Sequence, residues 1–133
     1  MKVVFIAHPI AEKNLGDQQL NLWRAMRWYK WASDTYWPTH SFEATWMLNC
    51  QVFSEADEEQ RLRGIERNLI MLGRCDELWL VGGRVSAGMQ KEAIFMTSIG
   101  KPIYDLTSLG NEPPPPGSAY PVEMVEVDPT RFQ

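Results

Sequence analysis

The sequence is poor in the residue types that build metal sites and covalent frameworks, with two cysteines and two histidines in 133 residues. Cys50 and Cys75 lie far apart with no CxxC or Cys/His spacing, so neither a disulfide framework nor a metal site is suggested, and a reducing cytoplasm fits best. No motif calls for a cofactor. Long apolar runs are missing too: nothing approaches the roughly 20 residues that span a bilayer. The first apolar run, residues 3–7, is too short for a signal segment and meets His8-Pro9 without a small-residue cleavage pattern, so a soluble, unexported protein is expected. Positive charge is also short. The 13 Lys+Arg against 17 Asp+Glu leave a net charge of −4, the wrong sign for gripping a nucleic-acid backbone. A small-molecule ligand is expected rather than a polymer or a membrane. What is present is ordinary globular material, 44% hydrophobic and 23% charged, in a length that suits one domain with one core.

Residues 2–7 are a continuous β-branched and aromatic run closed by proline, the pattern of a strand buried on both faces. Over residues 17–32 the apolar positions Leu22, Ala25, Met26, Tyr29 and Ala32 recur at helical spacing and predict an amphipathic helix. A second apolar arc, Leu20, Trp23, Trp28 and Trp31, lies opposite and predicts a subunit interface, hence a homo-oligomer, dimer or tetramer. Residues 35–40 read as a second strand, and residues 41–53 give no clear pattern. Ser54 and Asp57 suggest a capping box for a helix whose face carries Leu62, Ile65, Leu69 and Leu72. Residues 77–81 predict a buried strand stopped by Gly82-Gly83, residues 87–99 a helix with Ser86 as N-cap, and residues 102–105 a further strand. Strands alternating with helices require crossovers, which points to an α/β fold: a flavodoxin-like open parallel sheet of four or five strands with helices on both faces. After this domain, residues 1–106, the composition changes. Residues 107–133 form an arm containing Pro113 to Pro116 and a candidate edge strand over residues 122–127.

In such sheets the ligand lies beyond the carboxyl ends of the strands. The expected loops hold His8-Pro9, His40, Gly82-Gly83-Arg84 and Ser86-Ala87-Gly88, whereas Asp76 precedes its strand and reads as a turn residue at the other end. Glu92 is the most informative position. It falls in the apolar arc made by Met89, Phe95, Met96 and Ile99, where a carboxylate must be paired or face a cavity, and Gly88 one turn earlier uncovers it. A partly desolvated carboxylate suits nucleophilic or acid/base work; the alternative is a structural salt bridge to Arg67 or Arg84. Ser86 and Gly88 open a helix whose unpaired N–H groups can hold an anion, with Arg84 adding charge; the alternative is an ordinary serine cap beside a surface arginine. His8 and His40 are candidates to orient a hydroxyl or carry a proton.

Three motifs give the sequence a resemblance to a known family. These are Val4-Phe-Ile-Ala-His-Pro9, Glu66-Arg-Asn-Leu69 leading to Cys75-Asp76, and Ser86-x-Gly88-x-x-x-Glu92. Over about residues 1–105 the chain resembles the nucleoside 2-deoxyribosyltransferase-like superfamily, with its nucleotide N-hydrolases and the short DUF4406 proteins. The resemblance implies an enzyme that cleaves the N-glycosidic bond of a deoxynucleotide or deoxynucleoside, with hydrolysis or transfer to another base. It implies that Glu92 is the nucleophile, that Ser86 and Gly88 hold the 5′ end of the substrate, and that Phe5, His8, Pro9, His40, Gly83 and Arg84 line the site. Asn68 takes the place of an aspartate that handles the leaving base, Phe5 replaces a tyrosine, and His8 replaces a loop glycine. A catalytically inactive nucleotide-binding or sensing protein of the same fold is the alternative, and a plain interaction domain is the third reading.

Overall fold

The computed structural model describes residues 1–10, 15–54, 56–115 and 124–133. Its sheet has four parallel strands in the order β2-β1-β3-β4, where β1 is Lys2–Ala7, β2 His40–Glu43, β3 Glu77–Leu80 and β4 Ile103–Asp105. The helices are α1 (Leu15–Tyr36), α2 (Trp46–Val52), α3 (Glu58–Arg74) and α4 (Ala87–Ser98). This is the expected α/β open parallel sheet of flavodoxin-like form. β1 is central because its side chains alternate between two apolar layers: Phe5 and Ala7 join Leu72, Leu78, Met89 and Met96, while Val4 and Ile6 join Trp28, Phe42 and Trp79. α3 and α4 thus cover one face and α1 the other. No helix among the described residues is long and apolar enough to cross a membrane.

Two expectations about the first half are corrected. Residues 35–36 belong to α1, and the second strand begins only at His40. Aromatic and β-branched content made Thr35-Tyr36 look like strand, but Tyr36 continues the inward row of Trp28 and Ala32, and packing outweighs local preference. The helix then stops at Trp37, because a residue before proline is pushed out of the helical region. The expected inward face of α1 holds at Leu22, Ala25 and Ala32 but not at its other positions. Trp28 is fully buried and Trp31 packs edge-to-face on it at 5.5 Å, so both serve the core and not an interface. Met26 and Tyr29, expected inside, are 52% and 38% exposed. The small Ala25 and Ala32 let the helix lie close to the sheet and seat the indole of Trp28 between them.

The cap of α3 is Asp57, not Ser54: Asp57 accepts from the Gln60 N–H at 3.1 Å, while the Gln60 side chain accepts from the Ser54 N–H at 2.8 Å. Of the face expected on this helix, Leu72 is buried and Leu69 packs beside it, but Leu62 and Ile65 are exposed. At its far end the Lys101 ammonium donates to the carbonyls of Gly73 and Cys75, both at 2.7 Å, closing carbonyls that have no helical partner. Lys101→Met keeps the stem and removes these charged hydrogen bonds. It is expected to cost about 2 kcal/mol in urea denaturation.

The described parts of the arm fold back on the domain. After β4, Asp105 accepts from the Thr107 N–H and hydroxyl and starts a short 3-10 turn, Thr107–Leu109. Gly110, at φ +98°, then redirects the chain toward α1. Of the candidate edge strand, residues 122 and 123 lie outside the described residues. Its later part contributes only an isolated antiparallel bridge, Tyr104 with Glu126, and Phe132 near the end of the chain plugs into the core against α4.

Candidate functional site

In the strand order β2-β1-β3-β4 the chain leaves β1 toward α1 on one face and β3 toward α4 on the other. The loops therefore part between β1 and β3, and that parting is the crevice where open α/β sheets bind ligands. His8 stands at its centre. The residue is 5% exposed, and its Nδ1 lies 2.6 Å from the Pro9 carbonyl. A carbonyl only accepts, so Nδ1 carries the proton and the neutral ring presents Nε2 as an acceptor, which is buried and has no partner among the described residues. Burial holds the pKa of His8 below its ordinary value, and the positive charges of Arg24 and Arg84 lower it further.

The ring of His8 fits because residue 82 is glycine. Gly82 has φ +99°, and a Cβ there would lie 2.5 Å from His8 Cδ2 and 2.6 Å from Nε2. Gly83, at φ +86°, receives the side chain of Asn111 in the same way from the other side. Asn111 is anchored in turn by the Trp28 indole N–H, which donates to its carbonyl at 2.9 Å. Pro9 is fully buried beside His8, and Arg84 is exposed at the rim.

Beyond the glycines, Ser86 caps α4 through its hydroxyl, which accepts from the Met89 N–H at 3.3 Å, while the Ser86 N–H points at the Met89 sulfur at 3.4 Å. The N–H groups of Ala87 and Gly88 have no intrahelical acceptor, as at every helix start. Gly88 costs helix stability relative to alanine, yet a Cβ there would meet nothing within 4 Å. The space over the first turn of α4 is open.

Glu92 lies one turn further on, between the buried Met89 and Met96 and on the side of α4 that carries Phe95 against Gly73 of α3. Its side chain is densely surrounded but still reaches solvent in part. Among the described residues it has no hydrogen bond or ion pair, so neither Arg67 nor Arg84 neutralises it there; Arg67 instead sits over the Phe53 ring at 5.7 Å. Desolvation pushes the Glu92 pKa up to about 8. Phe5 is fully buried on the same face of the sheet as α4. Asn68, on α3, accepts from the Asn49 side chain of α2 at 2.9 Å, which orients its amide.

His40 is not part of this end of the molecule. It pairs with Lys2 at the start of the sheet, bonds to Thr39 at 2.8 Å and stacks among Tyr36, Phe42 and Trp79. Its expected place followed from a strand over residues 35–40; with the strand starting at His40, the ring belongs to the opposite end. Asp76 is also there, as expected, accepting from the Val3 N–H at 2.8 Å. The structure adds residues that sequence reasoning missed: Arg24 and Glu112, whose charges act on His8, and Arg27, which pairs with Glu112. Arg24 Nε lies 3.4 Å from one Glu112 oxygen, and Arg27 donates to the other. Their only signal in sequence is charge on a helix and beside a proline run, which any solvated surface shows.

Among known proteins, no curated protein matches the chain. A family profile described as Domain of unknown function (DUF7768) matches residues 2–106, the whole of the sheet with its four helices and none of the arm beyond Leu106. The chain belongs to the DUF7768 family.

Proposed function

We propose that this protein cleaves the N-glycosidic bond of a deoxynucleotide or deoxynucleoside, with Glu92 as nucleophile. The observation that carries the reading is the Glu92 carboxyl, desolvated and without a partner among the described residues, one turn below the open first turn of α4. A structural glutamate would have a partner, and a core position would hold a hydrocarbon. The resemblance of Ser86-x-Gly88-x-x-x-Glu92 to the nucleoside 2-deoxyribosyltransferase-like superfamily points the same way.

In the proposed reaction a Glu92 oxygen attacks C1′ of the sugar from the face opposite the base, through an oxocarbenium-like transition state. The C1′–N bond breaks, its electron pair leaves with the base, and the base takes a proton from solvent. Asn68 donates a hydrogen bond to the departing base but cannot supply that proton. Water, or a second base, then attacks C1′ of the glycosyl ester and returns the Glu92 carboxylate. The N–H groups at the start of α4 hold the 5′ end, a phosphate being favoured there by the helix dipole. His8 Nε2 accepts a hydrogen bond from a substrate hydroxyl. Cys75 is a buried free thiol, which suits the reducing cytoplasm proposed as the setting.

The test is a chromatographic search for free base after incubation with the common deoxynucleoside monophosphates and deoxynucleosides, with Glu92→Ala as control. Base released by the wild type alone supports the reading. A second reading, binding without turnover, is favoured by Phe5, which brings no hydroxyl to the site, and by the protonated state in which burial holds much of Glu92 at neutral pH. It predicts a nucleotide-dependent rise in melting temperature with no base released. The proposed assembly through α1 rests on Leu20 and Trp23 of the expected arc, which stay exposed together with Met26 and Tyr29 once Trp28 and Trp31 are in the core. Sedimentation at micromolar concentration is expected to show a dimer or tetramer, and a single 15.3 kDa species would remove it.

A further inference from the structure

We propose that Arg24 and Arg27 on α1 form an oxyanion seat, separate from the start of α4, which the chain's own Glu112 occupies in this conformation and which a phosphate displaces it from. Two buried side-chain nitrogens among the described residues lack a hydrogen-bond partner, His8 Nε2 and Arg24 Nε, and both are in this cluster. Buried polar groups are rarely left so, and the pair offers one acceptor, His8 Nε2, and one donor, Arg24 Nε, to a ligand.

Glu112 fills the seat incompletely. One of its oxygens accepts from Arg27, whose guanidinium is stacked over the Trp23 ring at 5.0 Å. The other lies 3.4 Å from Arg24 Nε, near enough for ionic attraction but without hydrogen-bond geometry. A planar carboxylate offers two oxygens; a phosphate offers more acceptors in a tetrahedral array and carries more charge, so it can serve both guanidinium groups together. His8 Nε2, an acceptor on the neutral ring, is suited to a hydroxyl donor beside that anion. The chemistry recognised is therefore an oxyanion with a neighbouring hydroxyl, as in a phosphorylated sugar; a free phosphate offers the oxyanion alone.

The strap that carries Glu112 is built to be displaced. It is held to the domain by the Trp28–Asn111 hydrogen bond, by Asn111 against Gly83 and by the Glu112 ion pairs. It begins at the positive-φ Gly110 and lies outside the span matched by the family profile. The glycine loop that Asn111 covers leads directly into Ser86 and α4, so a seated phosphate would uncover the crevice from this side.

The seat does not depend on Glu92 acting as a nucleophile, and its test reads binding and not base release. Wild type, Glu112→Gln, and Glu112→Gln combined with Arg24→Gln and Arg27→Gln are titrated calorimetrically with inorganic phosphate and with deoxyribose 5-phosphate. Removing the internal competitor is expected to tighten both probes at least tenfold, and the arginine changes to abolish the gain. A larger gain for the sugar phosphate identifies the hydroxyl-bearing ligand; equal gains identify the oxyanion alone. Affinity unchanged in Glu112→Gln, or a gain that survives loss of both arginines, overturns the seat.

Discussion

Replacing Glu92 with glutamine is expected to abolish base release and, at the same time, to make the protein more stable. The two effects share one cause. In an unfolded chain this carboxyl ionises near 4.5, whereas burial in the folded protein pushes it up to about 8. Between those values the folded state binds a proton that the unfolded state has lost, so folding becomes less favourable as pH rises. The penalty is absent below about pH 4.5, grows through neutrality and is complete above about pH 8, where it is on the order of several kcal/mol. Glutamine has the same shape and never ionises, so Glu92→Gln should match the wild type in urea denaturation at pH 4.5 and exceed it at pH 8.5. On the chemical side, glutamine cannot form the glycosyl ester, and loss of a nucleophile costs roughly three orders of magnitude in kcat or more. Because only the carboxylate attacks, wild-type kcat/KM should climb with pH and level off above about 8. An active Glu92→Gln protein would show that this carboxyl is not the nucleophile, and one that gains no stability at high pH would show that burial does not strain it.

How far sequence alone led differs from element to element for physical reasons. β1 and β3 were readable because a strand buried on both faces has no polar alternation to confuse it, and α4 because Ser86 marks its start. β2 was not, because it is an edge strand whose one fully buried side chain is Phe42, and a single inward residue has no period. α1 was placed in the right region with Leu22, Ala25 and Ala32 rightly inward, but with Met26 and Tyr29 in the place of Trp28. Apolar side chains surround it almost evenly, so its pattern could not say that Trp28 faces in and Met26 out; the two alanines beside Trp28 settle it through close approach. The same division holds at the site. Ser86, Gly88 and Glu92 come from a single helix, so their spacing alone places them together. Arg27 and Glu112 are 85 residues apart and meet only because Gly110 turns the chain back, which no local pattern reports.

A glycine governs the second large effect. Gly82→Ala is expected to destabilise the protein by roughly 3 kcal/mol or more, through two costs that can be separated. The first is conformational: φ is +99° at this position, a region that alanine rarely adopts and that costs about 1–3 kcal/mol. The second is overlap, because the new methyl would lie 2.5 Å from His8 Cδ2, 2.6 Å from Nε2 and 2.9 Å from Pro9 Cδ. His8 cannot easily yield, since its ring is buried and tied to the Pro9 carbonyl, and forcing atoms into packed space costs another 1–3 kcal/mol or so. Gly83→Ala, where the nearest atom is the end of an exposed Asn111 side chain and the backbone of Gly110 and Asn111 stands off at 3.2 Å, should cost less. The decisive protein is the double variant His8→Ala/Gly82→Ala. Without the imidazole the methyl has room on one side, so the pair should lose at least about 1 kcal/mol less than the two single changes added together. Additive losses would mean that the ring and the glycine do not touch, and the crevice would then lack the close His8–Gly82 contact that positions Nε2. A subadditive loss, with nucleotide binding weakened in Gly82→Ala and in His8→Ala alike, would place the histidine where the proposed chemistry needs an acceptor.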